Sequence, residues 1–164
     1  MRSTGDASIE FHLHDGGTAG LTVGGESNEL TVVESGGTIT VTAKLECGET
    51  SCMKTDSPRR DKDLWRHLNL HQYPTATLTA DKRTLQMPAD NGKVNGKGTG
   101  MLNLHGVTRQ ISFTYHATRT GSDYEIRAFT SINIADFKIE RPSFFGVHTG
   151  VKADIKVEFN LHEV

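Results

Sequence analysis

The chain has little cysteine: two residues among 164, Cys47 and Cys52, with Gly48-Glu49-Thr50-Ser51 between them. A structural zinc site needs a second Cys/His pair at ligand spacing, and none lies nearby in the sequence. The pair is open to two readings, a short-loop disulfide in an oxidising compartment or two free thiols. A bridge requires Cα atoms within about 7 Å of each other. The chain also lacks a basic block. Its formal net charge is −2 with both signs mixed along the sequence, so the electrostatic footprint of a nucleic-acid-binding protein is missing. No apolar run approaches the roughly 18 residues of a membrane-spanning helix. Met1-Arg2-Ser3-Thr4-Gly5-Asp6 carries no apolar h-region, so the expectation is a cytoplasmic chain or one from which a signal has been removed. The hydrophobic fraction of 35% is low for a helical bundle and acceptable for a sheet protein with one wet face.

What is abundant is glycine, with 17 residues, together with recurrent threonine. Thr and Val favour strands, and Gly punctuates turns. Period-2 alternation dominates. Thr38 to Leu45 puts Ile39, Val41, Ala43 and Leu45 on one face, and Thr75 to Ala80 does the same with Ala76, Leu78 and Ala80. Gln110 to Ala117 turns Ile111, Phe113, Tyr115 and Ala117 inward. Near the C-terminus Val151, Ala153, Ile155, Val157, Phe159 and Leu161 alternate with polar residues from Lys152 to His162. Asp15-Gly16-Gly17, Ser35-Gly36-Gly37, Asp90-Asn91-Gly92 and Thr120-Gly121-Ser122-Asp123 suit hairpin loops. Short strands joined in this way predict a meander that closes on itself, because a barrel removes exposed edges. One segment departs from the pattern. Ser57 reads as an N-cap, Pro58 as the first helical position and Asp61 as a first-turn acid, with Leu64, Trp65 and Leu68 on one face. The reading is one domain over residues 1–164: an all-β, antiparallel, eight-stranded barrel with a short helix near residues 57–70, set over an open end or into the core.

Candidate chemistry is sparse. His12 and His14 share a strand face and His67 and His71 lie four apart, but pairs do not make a closed metal site. No G-x-S-x-G occurs, and neither cysteine sits in a catalytic context. Gly96-Lys97-Gly98-Thr99-Gly100 lacks the spacing and following helix of a phosphate loop; a bulge or bend in a barrel strand is the expected explanation. No catalytic residue, metal or cofactor is therefore assigned. An eight-stranded barrel can be filled by its own side chains or hold one small ligand. Several inward positions are small, among them Ala43, Ala76, Ala80, Ala117 and Ala128, and a close-packed interior needs them filled from elsewhere. An apolar cavity is the expectation. Its wall residues are expected to be Phe11, Leu78, Leu102, Leu104, Phe113 and Tyr115, with Leu64, Trp65 and Leu68 at the mouth and Phe144-Phe145 closing it.

Five segments, in order along the chain, resemble the YceI-like family of polyisoprenoid-binding proteins. Ser8-Ile9-Glu10-Phe11 is similar to its opening strand, and Arg60-Asp61-Lys62-Asp63-Leu64 to its R-D-x-H-L segment, with Asp63 where His is usual. Tyr73-Pro74-Thr75-Ala76 resembles its Y-P-x-A/I element. Gly100-Met101-Leu102-Asn103-Leu104-His105-Gly106-Val107-Thr108-Arg109 resembles G-x-L-T-I-H-G-V-T-R/K, with Asn103 for Thr. Ala135 to Val147 resembles its D-F-x-I-x-x-P-S-F-x-G-V motif. The resemblance implies a lipocalin-like barrel that binds, stores or transports a long isoprenoid lipid, of the polyprenyl or quinone kind, without chemistry. It also implies a periplasmic or secreted location and a possible homodimer. The competing expectation is a structural or stress-response barrel that works through a protein partner and holds no lipid.

Overall fold

A computed structural model describes residues 2–15, 23–144 and 147–163. Its strands are β1 (Arg2–Asp15), β2 (Val23–Ser27), β3 (Leu30–Ser35), β4 (Thr38–Lys44), β5 (Thr75–Asp81), β6 (Lys93–Leu104), β7 (Val107–Thr120), β8 (Asp123–Asn133), β9 (Ser143–Phe144) and β10 (Val147–His162). The helix α1 (Pro58–His67) lies between β4 and β5. The strands hydrogen-bond in the order β2-β1-β3-β4-β5-β6-β7-β8-β10-β9, and β1 also pairs with β10 to close the sheet on itself. Nine strands form this nearly closed antiparallel barrel, one more than the alternation predicts. The difference has a local cause. β2 meets β1 at Ile9–Leu13 while β3 meets it at Arg2, so the two follow one another along a single edge. Exposed Asn28 and Glu29 interrupt them, where the Glu29 N–H turns to the Ser27 hydroxyl (3.0 Å). β9 is a two-residue appendage on β10.

Alternation sorts the side chains as a barrel requires. Leu30 and Val32, Ile39 and Ala43, Tyr115 and Ala117, Tyr124 and Ile126, and Phe159 and Leu161 are buried, and the residues between them are wetter. The turns match the strands they join. Gly36 and Gly37 (φ 60° and 84°) link β3 to β4, and His105 and Gly106 (φ 56° and 74°) link β6 to β7. Two positive φ values in a two-residue loop give the twist that a hairpin needs. The Asp90-Asn91-Gly92 turn leads into β6 from a connecting segment and joins no hairpin. Asp15-Gly16-Gly17 lies largely outside the described residues.

Two expectations change. The β6–β7 ladder runs unbroken from Lys93↔Thr118 to Leu104↔Val107, so Gly96, Gly98 and Gly100 mark no bulge. They make room for their neighbours instead. A β-carbon at Gly96 would lie 2.5 Å from Cζ of Tyr115, and one at Gly98 would lie 2.6 Å from Leu85 and 2.7 Å from Phe113. Val151, expected inside, is 37% exposed. β10 has outrun β8 there, since the last pair is Lys152↔Asn133, and β1 shifts register opposite between Leu13 and Asp15.

Closure is reinforced outside the barrel. Asp154 on β10 meets Nε2 of His14 on β1 (2.5 Å) and accepts a hydrogen bond from Ser131 on β8. The Ser131 hydroxyl first, and then His14, hold the Asp154 carboxyl below its ordinary value. A carboxyl lowered in this way stabilises the fold above the usual carboxylate range of about 4, and the contribution is lost as pH falls through the lowered folded value. The stability advantage of wild type over Asp154→Asn should therefore be full near neutrality and shrink in acid, as read from urea midpoints across pH. Gly98→Ala should destabilise by about 1–3 kcal/mol through overpacking, although alanine is the better strand residue. A neutral or stabilising result in the same titration would mean that the rings do not depend on the gap.

Candidate functional site

The strands enclose a cavity of about 240 Å³. Phe11, Leu78, Leu102, Leu104, Phe113 and Tyr115 all line it, as do Leu64 and Leu68 from the helical end. Its polar side chains are few: Ser51, Thr77, Thr130 and the Tyr115 hydroxyl. Ser51 Oγ accepts from the Met53 N–H (3.0 Å), and Thr130 donates to the Ser112 carbonyl (2.7 Å). Among the described residues no buried side-chain nitrogen or oxygen lacks a hydrogen-bond partner. The wall therefore offers dispersion and desolvation to a guest, and almost no directed polar contact.

One end is closed by a plug built from the β4–β5 connection. Cys47 and Cys52 form a disulfide, with Cα atoms 5.0 Å apart. The Cys47 N–H donates to the Thr50 carbonyl (2.9 Å) and the Cys52 N–H to the Leu45 carbonyl (2.8 Å), so the bridge closes a tight hairpin. Lys54 then exchanges backbone hydrogen bonds with Glu26 (3.0 and 2.7 Å), which stitches the plug to β2. Ser57 caps α1 by accepting from the Arg60 N–H (3.3 Å), and Pro58 opens the helix. Asp61 is buried and accepts from the Thr55 N–H (2.7 Å) and hydroxyl (2.6 Å). Leu64 and Leu68 turn down onto the cavity beside Met53 and Leu70. Trp65 does not line it, a correction to the expected mouth. Its indole N–H reaches Glu46 Oε2 (2.8 Å), which lays the ring against the plug. Phe145 and the side chain of Phe144 lie outside the described residues.

Sequence reasoning missed Met53, Leu70, Leu85 and Met87, which also line the cavity. None belongs to a strand: Met53 follows the disulfide, Leu70 follows α1, and Leu85 and Met87 sit between β5 and β6. Only the alternation of Leu85 and Met87 could have signalled them. The histidines disperse. His14 meets Asp154, Nε2 of His67 donates to the Glu140 carbonyl (2.6 Å) and His71 faces Glu46 (3.4 Å). Among the described residues no three His, Cys, Asp or Glu gather to hold a metal.

Residues of three of the motif segments meet at the plugged end. The Tyr73 ring packs on His105 (4.8 Å between centroids), and a β-carbon at Gly106 would lie 2.6 Å from it. Nδ1 of His105 donates to the Phe137 carbonyl (3.1 Å), and Arg109 Nε to the Asp136 carbonyl (3.2 Å). The Pro74 carbonyl accepts from the Leu45 and Glu46 N–H groups (2.7 and 3.2 Å). Asn103, in the place of the usual Thr, bonds Thr108 across the hairpin (2.9 Å).

These features define an antiparallel barrel closed round an apolar chamber. The YceI-like domain profile matches residues 4–162, and the chain belongs to that family. A polyisoprenoid-binding domain from Saccharophagus degradans, implicated in plant cell wall breakdown, superposes with a TM-score of 0.77 at 15% identity, covering 99% of this chain and 98% of that one. BcnA of Burkholderia cenocepacia gives 0.68 at 12% identity, covering 94% and 96%. The Campylobacter jejuni YceI protein gives 0.60 at 17% identity, covering 82% and 80%. A comparison with curated protein sequences finds no significant match.

Asp61→Ala would strand the Thr55 N–H, while the Thr55 hydroxyl keeps the Ser57 carbonyl (3.0 Å), so the plug should weaken by about 1–3 kcal/mol. Amide exchange should show faster opening across residues 51–68, with β7 and β8 unchanged. Uniform acceleration over the barrel would contradict a local role.

Proposed function

We propose that the chain binds an isoprenoid-type apolar lipid, polyprenyl or quinone, inside the barrel and performs no chemistry on it. The observation that carries this reading is the apolar chamber, whose buried polar groups are already satisfied. Left empty, a cavity of about 240 Å³ costs on the order of 6 kcal/mol at roughly 24 cal/mol per Å³. That approaches the whole stability of an ordinary domain, so a guest that fills it stabilises the fold. A branched hydrocarbon gains about 0.8 kcal/mol for each methylene taken from water. Membership of the YceI-like family and the likeness to a polyisoprenoid-binding domain support the lipid class. The Cys47–Cys52 bridge supports an oxidising compartment, periplasmic or secreted, and a carrier or storage role fits such a location.

Native mass spectrometry of protein purified without detergent, followed by organic extraction, tests the reading. A co-purified isoprenoid at near-stoichiometric amount is the expected result. An empty protein that also takes up neither added quinone nor polyprenyl lipid would overturn it and leave the barrel as a scaffold for a protein partner.

A further inference from the structure

The end of the cavity opposite α1 is closed differently. β5 pairs with β6 only at Thr77–Thr79, and residues 82–92 cross the gap beyond. This strap is tied near both ends. The Lys82 N–H donates to the Gly37 carbonyl (2.9 Å), the Arg119 N–H to the Gly92 carbonyl (3.0 Å), and the Gly121 N–H to Asp90 Oδ1 (2.7 Å). Its middle carries Leu85 and Met87 into the cavity. There the Gln86 N–H donates to the Tyr115 hydroxyl (2.8 Å), and that hydroxyl donates to the Gln86 carbonyl (3.0 Å). No other hydrogen bond joins residues 85–88 to the barrel wall among the described residues. The Tyr115 ring reaches the strap by lying over Gly96, where any β-carbon would block it.

On the reading that the cavity holds a prenyl chain, we infer that the Tyr115–Gln86 clasp sets the length of chain accepted. At rest the chamber takes a short prenyl segment, and a longer chain enters fully only when residues 85–88 are released. The volume supports the first half. A cavity of about 150 Å³ holds benzene, so about 240 Å³ accommodates roughly ten carbons, or about two isoprene units. It falls below the roughly 300 Å³ at which pockets for drug-sized ligands begin. The bonding supports the second half. At this end of the cavity Leu85 and Met87 are wall residues that no ladder holds, and one hydroxyl ties their stretch to the barrel wall. Releasing them withdraws Leu85 and Met87 from the chamber, and takes Leu85 from its place against Gly98.

Geraniol, farnesol, geranylgeraniol and solanesol, in order of increasing length, are the probes, and each dissociation constant is measured by tryptophan fluorescence and calorimetry. Each methylene that finds wall gains roughly fourfold in affinity, so a whole unit gains far more than tenfold. In the native protein affinity should level off beyond geraniol, the two-unit alcohol. In Tyr115→Phe, which keeps the ring and removes the clasp, it should go on rising at least about tenfold to geranylgeraniol. Met87→Ala widens the same end with the clasp intact, and should tighten farnesol and the longer alcohols alike, by at least about tenfold, with no further rise from farnesol to solanesol. The inference is overturned by native affinity that climbs steeply through solanesol, or by the same profile in native protein and Tyr115→Phe. Failure of all four alcohols to bind the native protein would instead overturn the prenyl reading, and this inference with it.

Discussion

The ladder between β1 and β10 joins residues near the two ends of the chain, from Arg2↔His162 to Asp15↔Thr149. Without it the sheet would be an open ribbon with two unpaired edges and an apolar face against water. With it, one set of alternating side chains has an inside and the other an outside. The circumference is then settled by the number of positions, and the interior is nearly as wide as side chains can span. Whether that interior is solid depends on a few residues. Alanines at 43, 76, 80, 117 and 128 leave room, while Phe113, Tyr115 and Phe159 take it up. The glycines of β6 let two of the aromatic rings lie flat against the opposing strand.

The molecule divides its labour between its ends. At the helical end, motif residues hold one another: Tyr73 on His105, His105 on the Phe137 carbonyl, Arg109 on the Asp136 carbonyl, and Pro74 on the first residues of the plug. These contacts position Leu64 and Leu68 without touching the cavity themselves. At the strap end, loosely bonded apolar residues face the cavity directly. The motif segments therefore serve both parts: Tyr73, His105 and Arg109 hold the cap, while Phe11, Leu64, Leu102 and Leu104 face the cavity.

Much of this was legible in the sequence wherever a period of two persisted. β4, β5, β7 and most of β10 follow from alternation, and α1 from Ser57, Pro58 and its apolar face. Legibility failed where tertiary geometry overrides the local pattern. Val151 keeps the rhythm of β10 but has lost its neighbours. Trp65 shares a face with Leu64, yet its N–H needs an acceptor and finds Glu46. The β6 glycines resemble a bend until the rings opposite them are seen. Leu85 and Met87 alternate over too short a connecting segment to say which way they face. The split of β2 from β3 turns on two exposed polar residues, Asn28 and Glu29.

The disulfide has a consequence for how the chain matures. Its partners are five residues apart, so the loop closes through local encounter and does not wait for the ends of the chain to meet. Two cysteines also allow a single intramolecular pairing, so oxidation within one molecule has no wrong bridge to reshuffle. The slow event is the joining of β1 to β10, strands at opposite ends of the sequence, and pairings so distant fold on the timescale of milliseconds to seconds. The covalent and topological closures of this barrel are thus separable in time. A chain can carry its finished bridge while its first strand still awaits its last.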